Sequence, residues 1–128
     1  KDYLSRSIIR LKALKVLLDE GGYADVVREA QEIVELVSKS LIRTLGAEPA
    51  RVHDVSAQLT ELTSRLKEKD RKGMERLIEI SRELRRDREL SFYGTEDLTP
   101  GEFYYQKDAK EAFGYADEAI RFVSKMVL

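Results

Sequence analysis

No cysteine occurs anywhere in the chain. Disulfide scaffolds, thiolate zinc sites and cysteine nucleophiles are thereby excluded. Histidine occurs once, at His53, with no second histidine or cysteine at metal-ligand spacing, so neither a metal site nor a metal cofactor is expected. The scattered glycines form no phosphate-cradling loop, nothing local resembles a nucleophile elbow, and no cofactor is expected. Apolar runs of the roughly 20 residues that cross a bilayer are also missing. The opening Lys1-Asp2-Tyr3-Leu4 leads straight into an amphipathic pattern, without a signal-peptide region. A soluble cytoplasmic protein with no membrane association is the expectation.

What is abundant is charge. Of 128 residues, 37% are charged and 42% apolar, and the net charge is only −1. The length suits one domain spanning residues 1–128. Charge is unevenly spread. From Arg65 to Arg88 there are ten basic against six acidic residues, a local balance of +4 in a chain that is otherwise acidic. Two readings are open. The segment is a solvated helix face laced with pairs such as Glu68–Lys72 and Arg71–Glu75, or it is a local surface for anions.

The apolar period is helical from end to end. A first helix is expected over about 2–20, with Leu4, Ile8, Leu11, Leu14 and Leu18 on one stripe and Gly21-Gly22 ending it. A second covers 23–45, with Tyr23, Val27, Ala30, Val34, Val37, Leu41 and Leu45 inward; Gly46 and Pro49 follow it. A third begins near 52–54, with Asp54 as a candidate cap, and reaches Leu66. A fourth runs from Asp70 to Leu90. A fifth opens at Thr99-Pro100-Gly101-Glu102, a capping box with proline at the first helical position, and continues to the end of the chain. Its alanines would let another helix come close. Gly114 in its middle costs about 1 kcal/mol against alanine, which points to close packing there. Long helices with short connections imply an all-α, up-and-down antiparallel bundle of about five helices.

Helical geometry singles out one arginine. At about 100° per residue, with Arg82 at zero, Leu77, Ile80 and Leu84 fall at about 220°, 160° and 200°. Arg88 falls near 240° on the same side, and Arg85 lies on the border near 300°. A guanidinium on an apolar side needs a carboxylate, a carbonyl or a bound anion. Tyr93, five residues beyond Arg88, would add a hydroxyl. The aromatic residues Phe103, Tyr104, Tyr105, Phe113, Tyr115 and Phe122 are candidates either for stacking on bases or for core and dimer packing.

Three stretches together carry a resemblance. They are Gly22-Tyr23-Ala24-Asp25-Val26-Val27-Arg28-Glu29-Ala30 with Leu41-Ile42, then His53-Asp54-Val55, then Arg88-x4-Tyr93-Gly94. The last is followed by Leu98-Thr99-Pro100-Gly101-Glu102 and by Phe113-x-x-Ala116-x-x-Ala119-Ile120-x-Phe122-Val123. In this order the chain resembles a HEPN domain over nearly its whole length. The resemblance implies a helical homodimer. Active HEPN ribonucleases pair an arginine with a histidine after four to six spacer residues, and cleave without metal across the dimer. Here Arg88 matches the arginine, Arg86 reaches the same position with six spacers, and Tyr93 stands in the histidine's place. Phe92 stands where the family frequently has an aspartate. A phenol of pKa near 10 is a poor proton shuttle at neutral pH. The resemblance is to the prokaryotic branch that ends the motif in Tyr-Gly. It implies an RNA- or nucleotide-binding module using Arg85, Arg88 and Tyr93, with His53 and Arg86 as accessory candidates, and no ribonuclease activity. It equally implies a partner for a minimal nucleotidyltransferase in a toxin–antitoxin pair. A divergent endoribonuclease and a protein–protein scaffold are the alternatives.

Overall fold

The computed structural model describes residues 2–51, 55–92 and 106–127, and the side chains of the fourth helix as far as Arg86. All regular structure among these residues is helical. In order come α1 (Asp2–Asp19), α2 (Tyr23–Thr44), α3 (Ser56–Leu62) with a 3-10 turn at Thr63–Arg65, α4 (Glu68–Phe92) and α5 (Gln106–Val127). This is the expected all-α antiparallel bundle.

The α1–α2 hairpin is closed by glycine. Gly21 has φ +82°, and its N–H donates to Leu18 O while that of Gly22 donates to Leu17 O at 2.9 Å. These two bonds satisfy helix-end carbonyls in the Schellman arrangement, which requires a left-handed residue. The same device ends α2. Gly46 has φ +87°, and Ala47 N–H reaches Ile42 O. Arg65 then donates to the neighbouring Leu45 carbonyl at 2.8 Å, tying the 3-10 turn to the end of α2.

α2 is the central stave, packed against α1, α3, α4 and α5. The expected stripe of Val27, Ala30, Val34, Val37 and Leu41 is buried, but so are Val26, Ile33 and Ile42. A helix with neighbours on several sides has more than one core face, whereas a single-stripe reading assigns only one. Along α5, Ala109, Ala112, Ala116 and Ala119 are buried, and α2 is the helix that α5 packs against most extensively. Small side chains let the two axes approach, as expected.

Three expectations need correction. Ile8 is not on the buried stripe of α1. It is exposed, and Ser7 is buried instead, its hydroxyl donating to Tyr3 O at 2.7 Å. That local bond removes the cost of burying the hydroxyl. The third helix is shorter than expected, giving way to the 3-10 turn and then to extended backbone at Leu66. Val55, Leu59, Leu62 and Leu66 are nevertheless all buried. The close packing anticipated at Gly114 is absent, since a Cβ there would meet nothing within 4 Å. The glycine that packing requires is Gly73 of α4, where a Cβ would collide with the ring of Phe122 on α5. The candidate caps Asp54 and Thr99–Glu102 lie outside the described residues.

The two glycines therefore predict opposite outcomes. Gly73→Ala should lower stability by about 1–3 kcal/mol through overpacking. Gly114→Ala should raise it by about 0.5–1 kcal/mol, because alanine costs less entropy in an open helical position. Urea unfolding of the two variants beside the parent checks both signs.

Candidate anion-binding site

The candidate site lies on the C-terminal half of α4. Its azimuth follows the helical arithmetic where side chains are described. Met74, Leu77, Ile80 and Leu84 are buried, Arg82 and Arg86 are exposed, and Arg85 is half-buried at the edge. Arg88 belongs to α4, four residues after the fully buried Leu84, one turn further along the same face. The Arg88 side chain, Tyr93 and His53 lie outside the described residues, as do Phe103, Tyr104 and Tyr105.

Several basic residues of this segment serve the bundle itself. Arg86 Nη2 lies 2.6 Å from Glu83 Oε2 one turn back, so this accessory candidate is engaged on the surface. Arg76 bridges two helices. Its Nε donates to both carboxylate oxygens of Glu118 at 3.1 Å, and its Nη1 donates to Glu79 at 3.0 Å. The same guanidinium lies over the ring of Tyr115, 5.4 Å from its centroid. Among the described residues these are the ion pairs of this stretch, and Glu68–Lys72 and Arg71–Glu75 are not among them. Arg85 has interactions within the chain as well. Its Nη1 is nevertheless buried without a hydrogen-bond partner among the described residues.

The aromatic residues of α5 that are described serve packing. Phe122 seats on Gly73, Phe113 packs against the core, and Tyr115 donates its hydroxyl to Glu111 Oε1 at 3.2 Å. Partial burial raises the Tyr115 phenol above its ordinary value. The carboxylate of Glu111 and, less strongly, that of Glu83 raise it further, against the opposing charge of Arg76. The hydrogen bond to Glu118 likewise raises Arg76.

Sequence reasoning missed a second basic cluster. Arg6 of α1 and Arg43 of α2 come together with Tyr3 and Ser40 where α1 begins and α2 ends. Hairpin register was the available signal. A turn at Gly21-Gly22 sets residue 3 opposite residue 40, just as it sets Arg10 near Glu32, whose ion pair measures 3.6 Å. Among the described residues no group of three or more metal-binding side chains occurs, and no helix is long and apolar enough to cross a membrane.

Against known proteins, the family profile described as HEPN domain matches residues 1–126. No curated protein and no solved structure matches the chain.

The raised Tyr115 phenol gives a pH prediction. Its stabilising contribution is complete below the ordinary tyrosine value of 10.0 and is lost as pH rises through the higher folded value. Ultraviolet titration of the folded protein should show one phenol ionising after the others, and Tyr115→Phe should remove that late step. A late step that persists in Tyr115→Phe would refute the assignment.

Proposed function

The chain belongs to the HEPN domain family, and on that premise we propose that it is a homodimeric module that binds RNA or a nucleotide and does not cleave it. Membership makes it a helical module of an RNA- and nucleotide-related family. The finer reading centres on Arg88, with Arg85 and Tyr93 as further binding residues. The observation that carries it is the phase of α4. Leu77, Ile80 and Leu84 are buried at one azimuth, Arg85 is half-buried at its edge, and position 88 continues that azimuth past the last buried leucine. Guanidinium groups are matched to phosphate by their planar, bidentate donors. The proton shuttle of family ribonucleases is replaced by Tyr93, which supports binding without turnover.

The dimer needs a surface. α5 spends its alanine face on α2 and its described aromatic residues on α4 and the core. The exposed large apolar side chains among the described residues are Ile8, Ile9 and Val16, all on α1. That stripe is the face available for a second copy. Assembly with a minimal nucleotidyltransferase, in a toxin–antitoxin pair, is the alternative use of the same face.

Fluorescence anisotropy with labelled single-stranded RNA, and calorimetry with nucleotides, test the reading. Arg88→Ala should weaken binding about tenfold or more and reduce its salt dependence. Equal binding by the two proteins, or binding by neither, would remove Arg88 from the reading. Cleavage of the same RNA that is lost in Tyr93→Phe would establish the endoribonuclease instead. Light scattering should return twice the chain mass. Ile9→Glu combined with Val16→Glu should return a monomer, and a parent protein that is monomeric at high concentration would sink the dimer.

A further inference from the structure

Asp2, Tyr3, Arg6, Ser40, Arg43 and Thr44 line a half-open cavity of ≈ 330 Å³ between the first turn of α1 and the last turns of α2. This is at the small end of the range for ligand pockets, roughly 300–1,000 Å³. Its lining is rich in donors. The Arg43 guanidinium sits over the Tyr3 ring, 5.0 Å from the centroid. Its nearest carboxylate oxygen, from Glu48, is 3.8 Å away. Arg6 stands 3.9 Å from Asp2. Both separations are beyond hydrogen-bond length, so neither guanidinium is consumed by its acid.

Ser40 supplies a second, independent sign. It is 2% exposed, and its Oγ has no hydrogen-bond partner among the described residues. Ser38 Oγ, two residues back in α2, is also buried without a partner but belongs to a residue that does not line the cavity, whereas other helical hydroxyls bond back one turn. Thr44 donates to Ser40 O at 3.0 Å, and Thr60 and Thr63 likewise bond back one turn. A buried hydroxyl left unbonded is costly, and here it belongs to a residue lining a cavity with two guanidinium groups.

We infer that this cavity is an anion site for a phosphate group, either free phosphate or the phosphate of a small ester. Arg6 and Arg43 supply the charge, Ser40 the buried hydrogen bond, and the Tyr3 ring a flat wall held by Arg43. The Asp2 carboxylate opposes the guest and sets its affinity low.

The site is separate from the one on α4. Arg65, bonded to Leu45 O, brings the start of α4 to the end of α2. Arg88 lies twenty residues after Glu68, about 30 Å along the helix axis. The two sites therefore occupy opposite ends of α4, and the second does not rest on the RNA-binding reading.

Inorganic phosphate and adenosine 5′-monophosphate titrated into the isotope-labelled chain, followed by amide chemical shifts, test the inference. Both should move amides of residues 2–6 and 40–44. Arg43→Gln should weaken binding about tenfold and Ser40→Ala about fivefold, while Asp2→Asn should tighten it about threefold. A tighter nucleotide than phosphate identifies an ester whose base lies on Tyr3; equal affinities identify free phosphate, and either result supports the site. Unmoved amides in both segments at high phosphate would overturn it. So would shifts indifferent to Arg43→Gln, Ser40→Ala and Asp2→Asn alike. Arg43 is largely exposed and Asp2 lies at the surface, so these variants are expected to fold as the parent does.

Discussion

The burial of α2 on several sides is the constraint from which the rest of the bundle follows. A helix enclosed in this way must be matched by neighbours of the right bulk. α5 meets it with Ala109, Ala112, Ala116 and Ala119, side chains small enough for close approach. α1 packs on it and buries Leu4 and Leu14, and α4 packs on it and buries Met74, Leu77 and Leu84. A cavity opened in a core of this kind typically costs 2–5 kcal/mol per truncated large side chain. Against a net stability of about 5–15 kcal/mol, a few such positions decide whether the helices stay assembled. The charged residues decorate an arrangement that apolar packing has already determined.

Electrostatics contributes at a different level. Exposed ion pairs are worth about 0–1 kcal/mol each, so Arg76 with Glu118 and Glu79 is a minor source of stability. Its value lies in direction. It holds α4 against α5 on one flank, with the Tyr115 ring beneath the guanidinium. The local excess of positive charge on α4 thus divides by role. Arg65, Arg76 and Arg86 bond to acceptors of the bundle. Arg85 and position 88 lie on or beside the apolar azimuth of the same helix.

Most of the architecture was legible in the sequence, because helical periodicity and terminal glycines are local signals. Gly21 and Gly46 mark helix ends where the chain must turn left-handed, and the boundaries of α1 and α2 fall within a residue of expectation. Two of the errors, and the missed cluster, share one cause, which is dependence on a partner. Whether Ile8 or Ser7 faces inward depends on how α1 is rotated against α2. Whether Gly73 or Gly114 is sterically required depends on where Phe122 lies. The cluster of Tyr3, Arg6, Ser40 and Arg43 joins residues some forty positions apart, which only a hairpin register brings together. The motif at Arg88 was visible in the sequence as an order of residue types. Its azimuth was calculable, and its setting at Tyr93 belongs to the residues beyond the described part of α4.

The contact between Gly73 and Phe122 reaches further than packing. With an aromatic ring seated directly on its backbone, α4 has no freedom to spin about its own axis. Any slip would drive a side chain from residue 72 or 74 into that ring. Azimuth is propagated rigidly along a helix, so the angular setting of Arg88, fifteen residues and about 22 Å downstream, is indexed by the missing methyl at position 73. A single hydrogen atom thereby acts as the detent that sets the rotation of the whole helix.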